Sequence, residues 1–330
     1  MKNKVTIIGA GMVGSTLAYS LVTQDSAEEI AIVDLNKKLA KAQVMDLQHA
    51  VPFTKKTHVK VGTYNDCRDS GVVVITCGAA QKPGETRLDL IEKNTKIIRE
   101  IMPQIFKANP NIVVLMITNP VDVLTYAAIK MFPKKKHQIM GSGTTLDTAR
   151  FRYLLSQKLN INAKSIHAYI MGEHGDSEFP VWSTARIGNS QLLEHKNFNK
   201  QDQVKVFKET KNAAYAIIDG KQSTYYGIGS AASYIIKAIL HDKRIILPVS
   251  HLIENIYGVK DVCFSGAVGK KILGEELWED KKYIEGRRDR SGVEALMFSL
   301  KYIVHFGRLR RRGIEAVRAE MTGKVIAYNY

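Results

Sequence analysis

Short runs of aliphatic and β-branched residues alternate with longer amphipathic stretches through the first half of the chain. Val5–Ile8, Ile30–Val33, Val72–Thr76 and Ile112–Ile117 are too short for helices. Their continuous apolar character predicts strands buried on both faces. Between them Val13–Thr23, Lys38–Ala50 and Leu88–Lys107 predict helices. Strand and helix in strict alternation imply an α/β unit with a parallel, doubly wound sheet. From about Thr144 the pattern is mixed. It predicts a helix over Asp147–Leu159, a strand over Ser165–Tyr169, and helices over Gln203–Ile218 and Tyr226–Leu240.

A chain of 330 residues accommodates two domains, with boundaries expected at 1–143 and 144–330. A protein of this size buries on the order of 75% of its unfolded surface and needs no disulfide or metal staple. The three cysteines, Cys67, Cys77 and Cys263, share no close spacing. That argues against a disulfide framework or zinc knuckle and fits a reducing, cytoplasmic setting. No apolar run reaches the roughly 18 residues of a membrane span. The N-terminus enters a strand pattern at once, so no signal peptide is expected. The formal charge of +16 comes mostly from dispersed lysine, as in Lys134-Lys135-Lys136. Without a helix-turn-helix, zinc finger or stacking motif, it reads as solvated surface rather than a nucleic-acid footprint.

Chemistry begins at Gly9-Ala10-Gly11-Met12-Val13-Gly14, a G-x-G-x-x-G turn between a predicted strand and helix. Gly9 permits the tight turn, Gly11 lets the backbone approach a pyrophosphate, and Gly14 lets helix and strand pack closely. The helix N-terminus then offers unpaired amides and a positive dipole end to the phosphates. Asp34 ends the second strand, 20 residues past Gly14. A carboxylate there accepts both ribose hydroxyls and repels a 2′-phosphate, which favours NAD over NADP. A strand–turn–helix without ligand is the plainer alternative.

His174 is set apart from the other histidines by its flanking residues, Gly172-Glu173-His174-Gly175-Asp176-Ser177. Glycines on both sides leave an imidazole accessible. Upstream, Asp147 and Arg150 stand three apart on a predicted helix and so share a face. They form either a surface ion pair of about 0.5 kcal/mol or a functional set, with Asp147 orienting an imidazole and Arg150 forking a carboxylate. Spacing alone leaves both open.

These motifs, together with Gln81–Leu88, Ile117-Thr118-Asn119-Pro120, Leu146–Arg150 and Ser223–Gly227, resemble the bacterial L-lactate dehydrogenases of the lactate/malate dehydrogenase family. The resemblance covers about residues 3–264. It implies a Rossmann NAD-binding domain followed by an α+β catalytic domain, in a homotetramer. The activity it implies is interconversion of L-lactate and pyruvate at the end of anaerobic glycolysis. In that reading His174 exchanges the hydroxyl proton, Asp147 holds its ring, and Arg150 grips the substrate carboxylate. Arg87, on a mobile lid, polarises the carbonyl. Gln81, Asn119 and Thr224 complete the substrate pocket. The cofactor set comprises Gly9, Gly11, Met12, Val13, Gly14, Asp34, Tyr64, Gly78, Ala79, Ile117, Asn119, Ser142 and Ile228, with no metal. Gln81 points to pyruvate over oxaloacetate, because malate-using members carry an arginine there and a neutral residue leaves a second carboxylate unpaired. Arg152 and His167 match positions that bind the activator fructose 1,6-bisphosphate across a subunit interface. Malate dehydrogenase, and a non-catalytic NAD or nucleic-acid binder, are the competing readings.

The resemblance is expected to fail from Gly266. Arginine usage changes there too, from 7 in residues 1–265 to 8 in residues 266–330, with clusters at Arg287-Arg288 and Arg310-Arg311-Arg312. A frame-shifted end and a genuine basic extension both explain such a break. The first predicts a destabilised protein with uncovered apolar surface.

Overall fold

A computed structural model of the chain describes residues 3–54, 56–79, 87–254 and 261–268. The first half builds β1 (Lys4–Ile8), α1 (Met12–Thr23), β2 (Glu29–Val33), α2 (Lys37–Ala50), β3 (His58–Val61), β4 (Val72–Ile75), α3 (Arg87–Ala108), β5 (Val113–Met116), α4 (Val121–Met131) and β6 (Ile139–Gly141). These strands are parallel and lie in the spatial order β6-β5-β4-β1-β2-β3. Chain order reverses between β1 and β4, which is where doubly wound sheets bind ligands.

The continuous apolar runs follow from cover on both faces. Val72 and Val74 join Leu17 and Leu21 of α1 on one side. Val73 and Ile75 point the other way, toward Ile98, Met102 and Ile105 of α3. Successive side chains of a strand alternate faces, so both sets must be apolar when neither face meets water.

The second half forms α5 (Thr145–Leu159), β7 (Ile166–His167), β8 (Ile170–Met171), β9 (Phe179–Pro180), β10 (Arg186–Ile187), β11 (Ser190–Gln191), α6 (Lys200–Lys221), α7 (Tyr226–Leu240), β12 (Leu247–Ile253) and β13 (Val262–Val268). Of the strand expected over Ser165–Tyr169 only Ile166–His167 forms, as β7, and the next strand, β8, starts at Ile170 in a different small sheet. A separate core gathers around Phe151, Leu155, Ile166 and Ile170. Trp182 packs edge-on to Phe151, with ring centroids 4.9 Å apart.

Three later elements return to the first sheet. α7 supplies Ala232, Ile235 and Ile236 to the core beside α1. β12 and β13 extend the sheet antiparallel beyond β6. The departure expected at Gly266 therefore does not begin there, because β13 continues through Val268 and pairs Gly266 with Val249. A Cβ on Gly266 would come 3.1 Å from the His251 ring, so a glycine suits this place in the ladder. Residues 269–330, including the arginine clusters at 287–288 and 310–312, lie outside the described residues. Among the described residues, no helix is long and apolar enough to cross a membrane.

Candidate active site

The glycine turn follows β1 at the point where strand order reverses. Gly9 adopts φ +115°, a conformation that L side chains rarely take. A Cβ on Gly14 would lie 1.9 Å from the Gly9 carbonyl oxygen, so α1 and the turn close only on a glycine. Around Gly11 the space is open for 4 Å, and no side chain caps the start of α1. Such a turn fits a pyrophosphate. Asp34, at the end of β2, reaches back to this loop. Its Oδ2 accepts from the Ala10 amide at 2.7 Å and its Oδ1 from the Asn36 amide at 2.8 Å.

Across the switch point, Gly78 and Ala79 follow β4 while Ile117 and Asn119 follow β5. Asn94 of α3 ties these loops together, although nothing in the sequence pattern marked it. Its Oδ1 accepts from the Ala79 amide at 2.7 Å, and its Nδ2 donates to the Asn119 carbonyl at 2.9 Å. Ser142 is buried, and its amide donates to Met116 at 2.9 Å. Val13 and Ile228 both pack on the core under this region, and Met12 is exposed at its rim. Tyr64 is half-buried on the opposite face, beside Val33 and Ile75.

The second cluster centres on Asp147, in the first turn of α5. Its Oδ2 lies 2.6 Å from Nδ1 of His174, and its Oδ1 accepts from Nη1 of Arg150 at 2.8 Å. The surface-pair alternative for Asp147 and Arg150 is thereby excluded, since their side chains are only 3% and 14% exposed. One carboxylate serves both partners. Burial alone opposes the charged form of each group, yet the mutual attraction is stronger. The Asp147 carboxyl is held below its usual range despite burial, by the charge of and hydrogen bond to His174 and by Arg150. Burial likewise lowers the His174 imidazolium, but Asp147 outweighs it and pushes the group up to about 9.

Two further residues hold the His174 loop. Asp122, in the first turn of α4, accepts the His174 amide at 2.7 Å through Oδ2. Gly172, at φ +98°, exchanges a pair of backbone bonds with Ser265 of β13, 3.0 and 2.8 Å long. Neither Asp122 nor Ser265 was singled out from sequence. Asp122 could have been, as a carboxylate one turn past Asn119-Pro120. Glu178, also overlooked, is buried beside the dyad. Asp147, His174 and Glu178 bring one donor-type atom each within 4.8 Å of one another, the spacing of a metal cage. The Asp147–His174 bond already engages two members of that trio.

Thr224 is half-buried in the turn between α6 and α7, and the neighbouring Ser223 hydroxyl contacts the Met12 sulfur at 3.2 Å. Arg152 leaves the cluster altogether. Its Nε donates to the Ala168 carbonyl at 2.8 Å and its guanidinium covers the Tyr169 ring, next to exposed His167. Gln81 and the Arg87 side chain lie outside the described residues. Cys77, at the end of β4, is pushed up to about 12 by burial, which keeps it an unreactive thiol.

A dinucleotide turn at the switch point, together with a buried aspartate–histidine–arginine cluster, defines an NAD-dependent dehydrogenase of the 2-hydroxy acid type. The family model for the lactate/malate dehydrogenase NAD binding domain matches residues 3–141. That for the family's alpha/beta C-terminal domain matches residues 144–275, past the limit near Phe264 read from sequence. The chain belongs to the lactate/malate dehydrogenase family. It is 47% identical over 264 residues to L-lactate dehydrogenase 1 of Clostridium acetobutylicum, covering 78% of this chain and 84% of that protein. It is also 47% identical over 292 residues to L-lactate dehydrogenase 1 of Bacillus cereus, covering 85% and 93%. Among solved structures, a lactate dehydrogenase from a Medee basin deep-sea metagenome library superposes with TM-score 0.79 at 37% identity, covering 91% and 98% of the two chains. The minor L-lactate dehydrogenase of Enterococcus mundtii gives 0.77 at 34% identity, covering 88% and 97%.

Proposed function

We propose that the chain interconverts L-lactate and pyruvate, with His174 as the acid and base. The observation that carries this reading is the doubly engaged Asp147, which holds the imidazole at 2.6 Å and the guanidinium at 2.8 Å on one buried carboxylate. With Nδ1 fixed on Asp147, Nε2 is the ring nitrogen left for a substrate oxygen. In the direction of reduction the imidazolium donates its proton to the carbonyl oxygen. In oxidation the neutral ring takes the hydroxyl proton back. Asp147 favours the cation, so the proton is present at neutral pH for reduction.

Arg150 keeps Nη1 on Asp147. The other donors of its planar group serve the substrate carboxylate, placing the reacting carbon at a fixed distance from His174. Gly9, Gly11, Gly14 and Asp34 would hold the pyrophosphate and adenosine ribose. Tyr64, Gly78, Ala79, Ile117, Asn119, Ser142, Met12, Val13 and Ile228 would line the rest of the dinucleotide. When bound, the nicotinamide supplies or accepts the hydride. Arg87 would polarise the carbonyl, and Thr224 and Gln81 would shape the pocket around a methyl group.

The 47% identity to curated L-lactate dehydrogenases supports pyruvate as substrate. Arg152, on α5 with its Nε on the Ala168 carbonyl, and His167 of β7 are the residues for a bisphosphate activator in a cytoplasmic homotetramer. The deciding experiment follows NADH oxidation by the purified protein with pyruvate or oxaloacetate, with and without fructose 1,6-bisphosphate. Pyruvate should be strongly preferred. Preference for oxaloacetate, or no turnover of either, overturns the reading.

A further inference from the structure

Glu178 has no part in the mechanism above, yet it is 4% exposed and one of its oxygens lies within 4.8 Å of donor atoms on both Asp147 and His174. Two buried carboxyl groups so close to each other do not both ionise freely, because the second charge meets the first in a medium that screens poorly. A buried carboxylate beside an imidazolium, by contrast, is stabilised by it. Glu178 therefore feels opposing fields. From α5 it faces Asp147, which repels its anion, and Arg150, which attracts it. From α6 it faces Lys211, and from its own loop His174. Asp122 of α4 meets the same loop through the His174 amide.

We propose that Glu178 is a positioning residue of the acid/base pair, forming with Asp147 and His174 a proton-sharing cluster that keeps His174 protonated further into alkaline solution. In neutral solution the cluster holds two protons, one on His174 and one on Glu178, and only Asp147 is anionic. The net charge of the trio is then zero, which suits a buried site. Raising the pH removes one proton from the cluster as a whole. When that proton leaves Glu178, the new carboxylate favours the neighbouring imidazolium and delays its loss. Burial, with the Asp147 charge second, pushes the Glu178 carboxyl up to about 8, close to the value for His174, so the two groups titrate together. The inference rests on the assignment of His174 as the proton donor.

The test compares the pH profile of pyruvate reduction for the full-length protein and Glu178→Gln. Glutamine keeps the shape and polarity but cannot ionise. The variant-to-parent ratio of kcat should fall as the pH rises through 8 to 9, with the alkaline limb displaced acidward by roughly one unit. A ratio constant with pH would mean a structural role and overturn the proposal. A second measurement needs no variant of Glu178. The His174 imidazole carbon resonance, assigned by its loss in His174→Asn, should titrate over a broader range than a single site allows. A single-site curve overturns the coupling. Failure to turn over pyruvate would defeat the functional reading instead, whereas the resonance titration decides the cluster without turnover.

Discussion

Asp147 and His174 are joined by a 2.6 Å contact from Oδ2 to Nδ1, made across 27 residues of sequence between the first turn of α5 and a glycine-flanked loop. The contact fixes which ring nitrogen faces the substrate and which protonation state prevails. Replacing Asp147 by Asn keeps the geometry but removes the charge that holds the imidazolium at about 9. Pyruvate reduction requires that cation, so the alkaline limit of activity should move to lower pH. The rate at pH 8 should fall by roughly 10²-fold or more. His174→Asn should nearly abolish turnover while NADH affinity, read by fluorescence titration, stays close to the parent value. An Asp147→Asn enzyme with an unchanged pH profile would remove the carboxylate from the mechanism.

At the other end of the site, Gly14 meets the carbonyl of Gly9 so closely that an added Cβ would stand 1.9 Å from the oxygen. The obstacle is backbone, so it cannot rotate away. Gly14→Ala should separate α1 from the turn, cost about 1–3 kcal/mol in chemical denaturation, and weaken NADH binding more than tenfold. Gly11 is the contrast, with nothing within 4 Å. Gly11→Ala should leave the unfolding midpoint within experimental scatter while still weakening NADH. Equal losses of stability in the two variants would contradict this division of roles.

Sequence periodicity read the parallel sheet well because strands buried on both faces are apolar throughout, as in Val72–Ile75. The Gly14–Asp34 relation was legible for a related reason, since chain geometry fixes that spacing locally. What escaped was non-local. Ser265 braces Gly172 from a strand 93 residues downstream, and no periodicity encodes such a partnership. Asn94 was hidden inside a helix whose other polar residues face water. The strand predicted over Ser165–Tyr169 is longer than β7, which is two residues long, below the length at which alternation is visible. The Asp147–Arg150 spacing was read correctly as one helical face. Only the fold shows that the face is buried and that its carboxylate holds both Arg150 and His174.

Stability should fall in acid through a network far from the chemistry. Lys4 is 5% exposed and its Nζ lies 3.0 Å from Asp66 and 2.7 Å from Asp69, while Lys60 approaches Asp66 at 2.8 Å. Burial opposes ionisation of Asp66, but Lys60, the Thr63 amide and Lys4 hold it down at about 2. A carboxyl lowered in the folded state stabilises fully above its unfolded value of 3.8 and loses that contribution as pH falls through 2. Asp66→Asn should therefore cost about 2 kcal/mol at pH 7, and the difference from the parent should shrink between about pH 4 and pH 2. A penalty independent of pH in thermal melts would show that packing, not charge, is what the residue supplies.

Substrate choice is predicted from Gln81, which precedes the stretch leading into α3. The resemblance read from the sequence implies an arginine here in malate-using members, as a counter-charge for the second carboxylate. Gln81→Arg should lower the ratio of kcat/KM for pyruvate over oxaloacetate by roughly 100-fold, since pairing a desolvated carboxylate is worth several kcal/mol. An unchanged ratio would mean that discrimination lies elsewhere in the pocket.

Arg150 offers the sharpest separation of binding from proton transfer. Its Nη1 neutralises Asp147 at 2.8 Å, and the rest of its planar group is assigned to the substrate carboxylate. Lysine at this position keeps a positive charge beside Asp147 but has no second, parallel donor. In Arg150→Lys the charge around His174 is preserved, so the pH dependence of kcat should hold its shape. The substrate, gripped by one bond instead of two, should bind more weakly, and KM for pyruvate should rise by roughly 10- to 100-fold. NADH affinity should not change, because the glycine turn and Asp34 follow β1 and β2 whereas Arg150 lies on α5. If the pH profile moves and KM does not, Arg150 acts through Asp147 alone and the carboxylate fork must be sought on another side chain.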